Sequence, residues 1–414
     1  MPAGPADGSA EWAWCESVAE ESGGAFYRYD EDVLRRTVAE ITDAAREHLP
    51  SMRFHYAYKA NYTPAVCRAV ADMGWGAEVD SPMLLWLAQR IGVPAPAIAY
   101  NGIARDPRSV REALLAGAVV NLDSESDVEV VRATARESVD LPLHVTVRLL
   151  SPTGRYTGPR LGQTLEGAHR VVAALREVPG VEILGLSAHV PDSTPEGMRT
   201  RIRTLLEAGT RLFPGGPGST GGPRMICVGG ALSSRATDIA TEVSANAVII
   251  AAELRTVPWG STVEVAAEPG GAVVAAAFDL VARVVDVREQ PGRTVINVAG
   301  SILDTSPNTR RVDFPVRVIS PSPRERAGGV RLVGGGTLID GDWLSVDVPE
   351  GASPQVGDFL AFGGVGAYSV SLDSHFGSPP LAIVSRTGEG PGAWTRVRDR
   401  PGFAETLAGF DLGT

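Results

Sequence analysis

At 414 residues and 44% apolar composition, the chain is long for one core and suits two domains. A formal charge of −11, without runs of one sign, argues against nucleic acid or an anionic membrane as partner, since both need a basic face, and points to a small molecule instead. Three distant cysteines, Cys15, Cys67 and Cys227, offer neither a disulfide framework nor a CxxC metal pair, so no metal site is expected and a cytoplasmic setting fits.

The N-terminus has no basic start or apolar core, and the longest apolar stretch, 272–287, is interrupted by Asp279 and Arg283. Neither a signal peptide nor a membrane span is expected. In chain order, 25–29 reads as a strand ahead of the first helix. Eight short apolar segments follow: 53–58, 76–79, 97–100, 118–122, 143–149, 182–189, 224–228 and 262–267. Helical patterns separate them, for example 63–73 and 244–254. Eight such units predict an α/β fold, an eight-stranded TIM-type (β/α)8 barrel with its site at the C-terminal ends of the strands. Residues 213–223 read as a Gly/Pro-rich loop. Beyond residue 275 alternating strands and glycine turns predict a second, mostly antiparallel β-domain. The expected division is 30–274 for the barrel, and 1–29 with 275–414 for the β-domain.

Among 38 basic residues, Lys59 is the only lysine. Arginine serves wherever a positive charge suffices, whereas only lysine can lose its proton and form an imine with a carbonyl. Lys59 closes the aromatic-rich segment Phe54-His55-Tyr56-Ala57-Tyr58, where burial is expected to lower its pKa. The other strand ends carry Glu78, Asn101, Asp123, Arg148, His189, Gly229-Gly230 and Glu268-Pro269-Gly270. A lysine, a histidine to lie against a ring, an arginine, glycine amides for a phosphate and a carboxylate for a pyridine nitrogen are what a pyridoxal 5'-phosphate site needs.

These motifs resemble those of the fold-type III pyridoxal-phosphate decarboxylases, the group of diaminopimelate, ornithine and arginine decarboxylases, over nearly the whole chain. Tyr58-Lys59-Ala60-Asn61 is similar to the cofactor-lysine motif, and Gly74 to Ser81 resembles the second-strand motif with Glu78 in place of aspartate. Gly185-Leu186-Ser187-Ala188-His189-Val190 resembles the segment of the ring-stacking histidine, Val228-Gly229-Gly230 the phosphate glycines, and Glu268-Pro269-Gly270 the pyridine-binding glutamate. Gly366-Ala367-Tyr368 looks like the motif whose tyrosine reaches the phosphate. The resemblance implies Lys59, His189, Glu268 and Tyr368 as catalytic residues. It adds Glu78, Arg148, Ser193, Gly229, Gly230 and Gly270 to the cofactor site, and implies a homodimer with shared sites.

Three departures stand out. Ser193 lies one position later than the family's phosphate serine, and Gly271 replaces an arginine. The box in which the family carries its general-acid cysteine and a substrate-reading acid is Gly335-Gly336-Thr337-Leu338-Ile339-Asp340-Gly341-Asp342, with Leu338 and Ile339 at those two positions. No cysteine occurs after Cys227. Leu338, Ile339, Asp342 and His375 are expected on the substrate side, and a basic diamino acid is disfavoured because its distal cation would be buried without a partner. An amino-acid decarboxylase of altered specificity, of the kind used in specialised biosynthesis, is the first reading. A racemase or other enzyme acting at the α-carbon without CO2 loss, and a non-catalytic carrier of the cofactor, remain open beside it.

Overall fold

The computed structural model describes residues 8–137, 141–150, 160–189, 192–214, 223–230, 232, 238–305, 314–322, 330–345, 353–374, 376–388 and 390–411. The chain divides into two compact units, Arg35–Val273, and Met1–Leu34 with Val274–Thr414. After a strand of the second unit, β1 (Ala25–Tyr29), come the eight strands of the first: β2 (Arg53–Ala57), β3 (Gly76–Val79), β4 (Ile98–Tyr100), β5 (Val119–Leu122), β6 (Leu143–Leu149), β7 (Val181–Ala188), β8 (Met225–Cys227) and β9 (Glu264–Ala267). They pair in parallel in chain order, and β9 returns to β2 through Arg53↔Ala266 and Phe54↔Ala267 to close an eight-stranded barrel. The TIM-type barrel predicted from the alternating pattern is present, with helices between its strands.

Side chains alternate between the barrel interior and the surrounding helices. Tyr56 and Phe54 of β2 point outward into the helical layer, where Phe54 stacks on Trp75 with ring centroids 4.6 Å apart. His55 points inward. Helix starts follow local capping chemistry: Ser81, Thr164 and Asp238 each accept a backbone N–H of the first turn. The last of these starts helix Ile239–Leu254 five residues ahead of the expected 244, because Asp238 accepts from Thr241 at 2.9 Å and the first turn is built on that cap.

The second unit is a nine-stranded sheet formed by β1, β10 (Phe278–Gln290), β11 (Arg293–Val298), β12 (Val316–Ile319), β13 (Val330–Gly334), β14 (Trp343–Ser345), β15 (Phe359–Gly363), β16 (Ala382–Arg386) and β17 (Trp394–Arg398). It is mostly antiparallel, with parallel pairs only at β1/β16 and β11/β13 among the described residues. The long β10 bonds to β1, β11 and β15 and organises the sheet. One element was not expected: helix Gly8–Ser22 precedes β1 and buries Trp14, Cys15 and Val18 against Phe26, Val281 and Phe359. Its apolar residues do not form a single stripe, so periodicity does not reveal it.

Among the described residues no helix is long and apolar enough to cross a membrane.

Candidate active site

Strand β2 ends at Ala57, and Lys59 sits in the 3-10 turn Tyr58–Ala60 rather than on the strand itself. The Ala57 amide donates to the Pro269 carbonyl at 3.0 Å, which ties this turn to the segment after β9. Gly270 belongs to the same seam: a Cβ there would lie 2.9 Å from that of Ala60. The Lys59 side chain stands in a cavity of about 400 Å3 at the C-terminal end of the barrel, lined among others by Glu78, Asn101, Arg148, His189 and Glu268.

Its amine forms an ion pair with Glu78. Burial pulls the lysine pKa down, but Glu78, Asp80 and Glu268 outweigh it and leave the pKa above the ordinary value. The expected lowering is therefore corrected. Burial was anticipated, whereas the three carboxylates gathered around the amine were not, and 42% of the side chain remains exposed in the cavity.

Glu78 is 1% exposed. Burial raises its pKa, yet the Lys59 cation and the amide of Asn101 bring it below the usual carboxylate range. Glu268 goes the other way: burial first and then the Glu78 charge raise its pKa above the usual carboxylate range. Two carboxyls that close cannot both ionise easily, and the one without the lysine is the one whose pKa rises. Asn101 joins them, its Nδ2 donating to Glu78 at 2.8 Å and to Glu268 at 3.2 Å. Behind it Asn121 donates to Asn101 Oδ1 at 3.0 Å, and Ser187 and Thr146 both donate to Asn121 Oδ1.

His189 directly follows Ala188, the last residue of β7, one position past the strand it was expected to end. Burial and then the Arg148, Arg201 and Lys59 cations push it down to about 4, so the ring is neutral near pH 7. The residue is exposed toward the cavity, where water softens the first of these effects, and the direction stands on the three cations. Its Nδ1 accepts from the Gly230 amide at 3.4 Å. Gly229 has φ +67°, and a Cβ on Gly230 would come within 1.9 Å of the Glu268 carbonyl oxygen, so this loop must be glycine to pass there. Arg148 lies 3.6 Å from Asp123.

Other expected residues are placed differently. Ser193 is exposed just ahead of Thr194, the cap of helix Pro195–Leu212, and does not line the cavity. Asp342 is not a free substrate ligand. It is buried, and its carboxylate accepts from Ser301 Oγ, the Ile302 amide, the Thr337 amide and Thr337 Oγ1, which holds the turn that carries Leu338 and Ile339. Leu338 is 99% exposed and Ile339 partly buried. Tyr368 has φ 64°, the only positive value at a non-glycine among the described residues. His375 lies outside the described residues. Asn121 and Ser187 were missed. Each stands two residues before a strand-end residue already singled out, Asp123 and His189, so the two-residue alternation of a strand could have placed them on the same inward face.

The arrangement gives the chain's one lysine, the residue type able to form an imine with a carbonyl cofactor, a cavity at the C-terminal end of the barrel. A family model described as "Pyridoxal-dependent decarboxylase, pyridoxal binding domain" matches residues 35–275, and the chain belongs to that family. Its cofactor is pyridoxal 5'-phosphate, and the protein is a pyridoxal-phosphate-dependent carboxy-lyase acting on an amino acid. A curated diaminopimelate decarboxylase from Actinosynnema pretiosum subsp. auranticum is 30% identical over 372 residues, covering 84% of this chain and 82% of that one. Among solved structures, diaminopimelate decarboxylase from Helicobacter pylori complexed with L-lysine aligns with TM-score 0.82 at 18% identity, covering 96% of this chain and 100% of that one. Lysine/ornithine decarboxylase from Vibrio vulnificus complexed with cadaverine aligns with TM-score 0.73 at 22% identity over 90% and 97% of the two chains. At those identities the two structures establish the fold.

The residues present fit the cofactor. A cavity of about 400 Å3 lies in the range of small-molecule sites, the only lysine of the chain stands in it, and the buried carboxyl of Glu268 faces it.

Proposed function

We propose that this enzyme decarboxylates an amino acid that is not a simple basic diamino acid, with Lys59, His189, Glu268 and Tyr368 as its catalytic residues. The observation that carries the reading is the sole lysine, paired with Glu78 and linked through Asn101 to the buried Glu268. Lys59 would hold the cofactor through its aldehyde, Glu268 its pyridine nitrogen, and the Gly229-Gly230 and Gly270 loops with Arg148 and Tyr368 the remainder. Bound there, the cofactor supplies a sink for the electron pair released when a bond at the α-carbon breaks.

The chain's own groups do the rest. Neutral His189 can lie against a flat ring without adding a charge beside Lys59. Glu78 keeps a proton on Lys59 Nζ whenever that amine is free, and with no cysteine after Cys227 this amine is the group proposed to return a proton to the α-carbon. Asn101 links the proton states of the two carboxyls, so a proton lost from one is felt by the other.

The substrate preference rests on Leu338 and Ile339. A distal ammonium against two aliphatic side chains loses hydration and gains no carboxylate, a penalty of several kcal/mol by order of magnitude, whereas an apolar side chain gains roughly 25 cal/mol per Å2 buried. The family resemblance extends the proposal to a homodimer in which Leu338 and Tyr368 complete the partner's site, and the full exposure of Leu338 leaves its side chain open to such a contact.

Screening amino acids for a change in the cofactor's absorption, with CO2 release measured alongside, tests the reading. Apolar or unusual amino acids should perturb the spectrum and release CO2, while lysine, ornithine and diaminopimelate should do so poorly. Efficient, clean decarboxylation of any of those three would overturn the substrate assignment.

A further inference from the structure

Helix Pro195–Leu212 carries four arginines, and three of them meet carboxylates at the surface. Arg199 and Arg203 reach Glu253 at 3.1 and 2.9 Å, and Arg211 reaches Glu207 at 2.8 Å. The fourth, Arg201, is 1% exposed and shares the buried face of the helix with Met198, Ile202, Leu205 and Leu212. Periodicity gives that position to an apolar residue. Burial brings the Arg201 pKa down to about 10, which leaves the guanidinium charged near pH 7. A buried charge is costly unless hydrogen bonds take up its donors, so the groups that Arg201 holds define its role.

Two of those groups are backbone carbonyls from neighbouring loops. Arg201 Nη1 donates to the Val228 carbonyl at 2.7 Å and Nη2 to the Asp192 carbonyl at 2.9 Å. Val228 lies one residue past β8 and immediately before Gly229-Gly230, and Asp192 comes three residues after His189. The glycine loop also abuts the end of β7: a Cβ on Gly229 would lie 2.7 Å from His189 Nδ1 and 3.0 Å from the Ala188 carbonyl oxygen. On its other side the loop is tied to β9. The Val228 amide donates to the Ala266 carbonyl at 2.9 Å, and the Glu268 amide to the Gly229 carbonyl at 3.0 Å. A planar guanidinium presents its donors in a fixed fork, so one side chain can set the spacing of two loops.

We propose that Arg201 is a positioning residue of the cofactor site, which fixes the Gly229-Gly230 loop against the segment after His189 so that the loop can receive the cofactor's phosphate. The proposal rests on the reading of Gly229-Gly230 as the phosphate loop. Arg201 does not line the cavity of about 400 Å3, so it acts through the two loops and not by contact. Ser193 is exposed and also lies outside that cavity, which leaves the glycine loop as the segment that must be held. A lysine in place of Arg201 would keep the charge, but its compact ammonium has no fixed fork with which to set the distance between two carbonyls.

The full chain, stripped of cofactor, is titrated with pyridoxal 5'-phosphate and separately with pyridoxal, which has the aldehyde but no phosphate, and binding is read from the bound absorption band. Arg201→Met should weaken pyridoxal 5'-phosphate by about tenfold or more and pyridoxal by less than about twofold. Equal weakening of both would make Arg201 a support of the fold alone, and wild-type affinity for both would leave it no role; either result overturns the proposal. Arg201→Lys should recover only part of the loss, whereas full recovery would mean that charge alone acts and the fork does not. Thermal melts establish that each variant is folded. If neither folds, crystals of the wild-type holoenzyme decide. Phosphate on the Gly229-Gly230 loop, with Arg201 still on both carbonyls, is expected there, and a guanidinium that has left either carbonyl overturns the proposal. Phosphate bound elsewhere with both bonds intact refutes the reading of the loop instead.

Discussion

The two rims of the barrel use the same residue types to opposite ends. At the lower rim each cation has its own carboxylate in water: Arg224 and Glu182 are 69% and 40% exposed and 2.8 Å apart, and Arg53 meets Glu264 in a similar way. At the upper rim Glu78 and Glu268 crowd together around one lysine and one asparagine, so one carboxyl is driven down and the other up. The difference is one of desolvation and count. A solvated, balanced pair changes little whether made or broken, whereas two carboxyls sharing one cation away from water must divide their protons.

The largest expected effect is at the upper rim. Lys59→Arg keeps the cation beside Glu78 but cannot form an imine, so activity should fall by at least about 10^3-fold and the cofactor's bound absorption band should vanish, with the melting temperature little changed. Borohydride reduction of the wild type should label a peptide containing Lys59. A normal bound-cofactor spectrum in the arginine variant would end the reading of the upper rim as the chemical one.

An intermediate effect belongs to His55, midway between the rims. Burial, then the Arg53 cation, push it from 6.5 to about 4, partly offset by Glu78. The unfolded chain binds a proton there near its ordinary value and the folded chain does not, so the unfolded state holds more protons between these pH values, and stability drops as pH falls from about 6.5 toward 4. The share from this one group is about 3 kcal/mol at most, and less in proportion to the water that reaches the ring. Denaturant unfolding at pH 6.5 and 4.5 should show a smaller loss for His55→Gln than for the wild type. Equal losses would mean that His55 titrates normally.

The smallest effect is expected at the lower rim. Arg224→Met removes a solvated pair and should change unfolding free energy by less than about 1 kcal/mol with the activity intact. A loss of several kcal/mol there would erase the contrast between the rims.

Much of this was legible beforehand for identifiable reasons. All eight barrel strands end within one residue of the expected position, and Lys59 was marked by being the only lysine. The exceptions are informative. Helix Gly8–Ser22 is defined by packing on β1 and β10 rather than by a stripe of its own. Asp342 read as a ligand because it stands in a familiar box, whereas in space it closes that box by accepting from Ser301, Ile302 and Thr337.

Local pattern and composition by themselves determined the alternation of strand and helix, the strand ends that face the site, and the one residue able to form an imine. These depend on neighbours in the chain and on what a side chain is. Only the tertiary structure decided that Lys59 carries a raised rather than a lowered pKa, and that Asn101, which holds Glu78, also reaches Glu268 across 167 residues of sequence. Those properties belong to distances between groups remote in the chain, and electrostatic and desolvation energies depend on such distances, not on the order in which residues are joined.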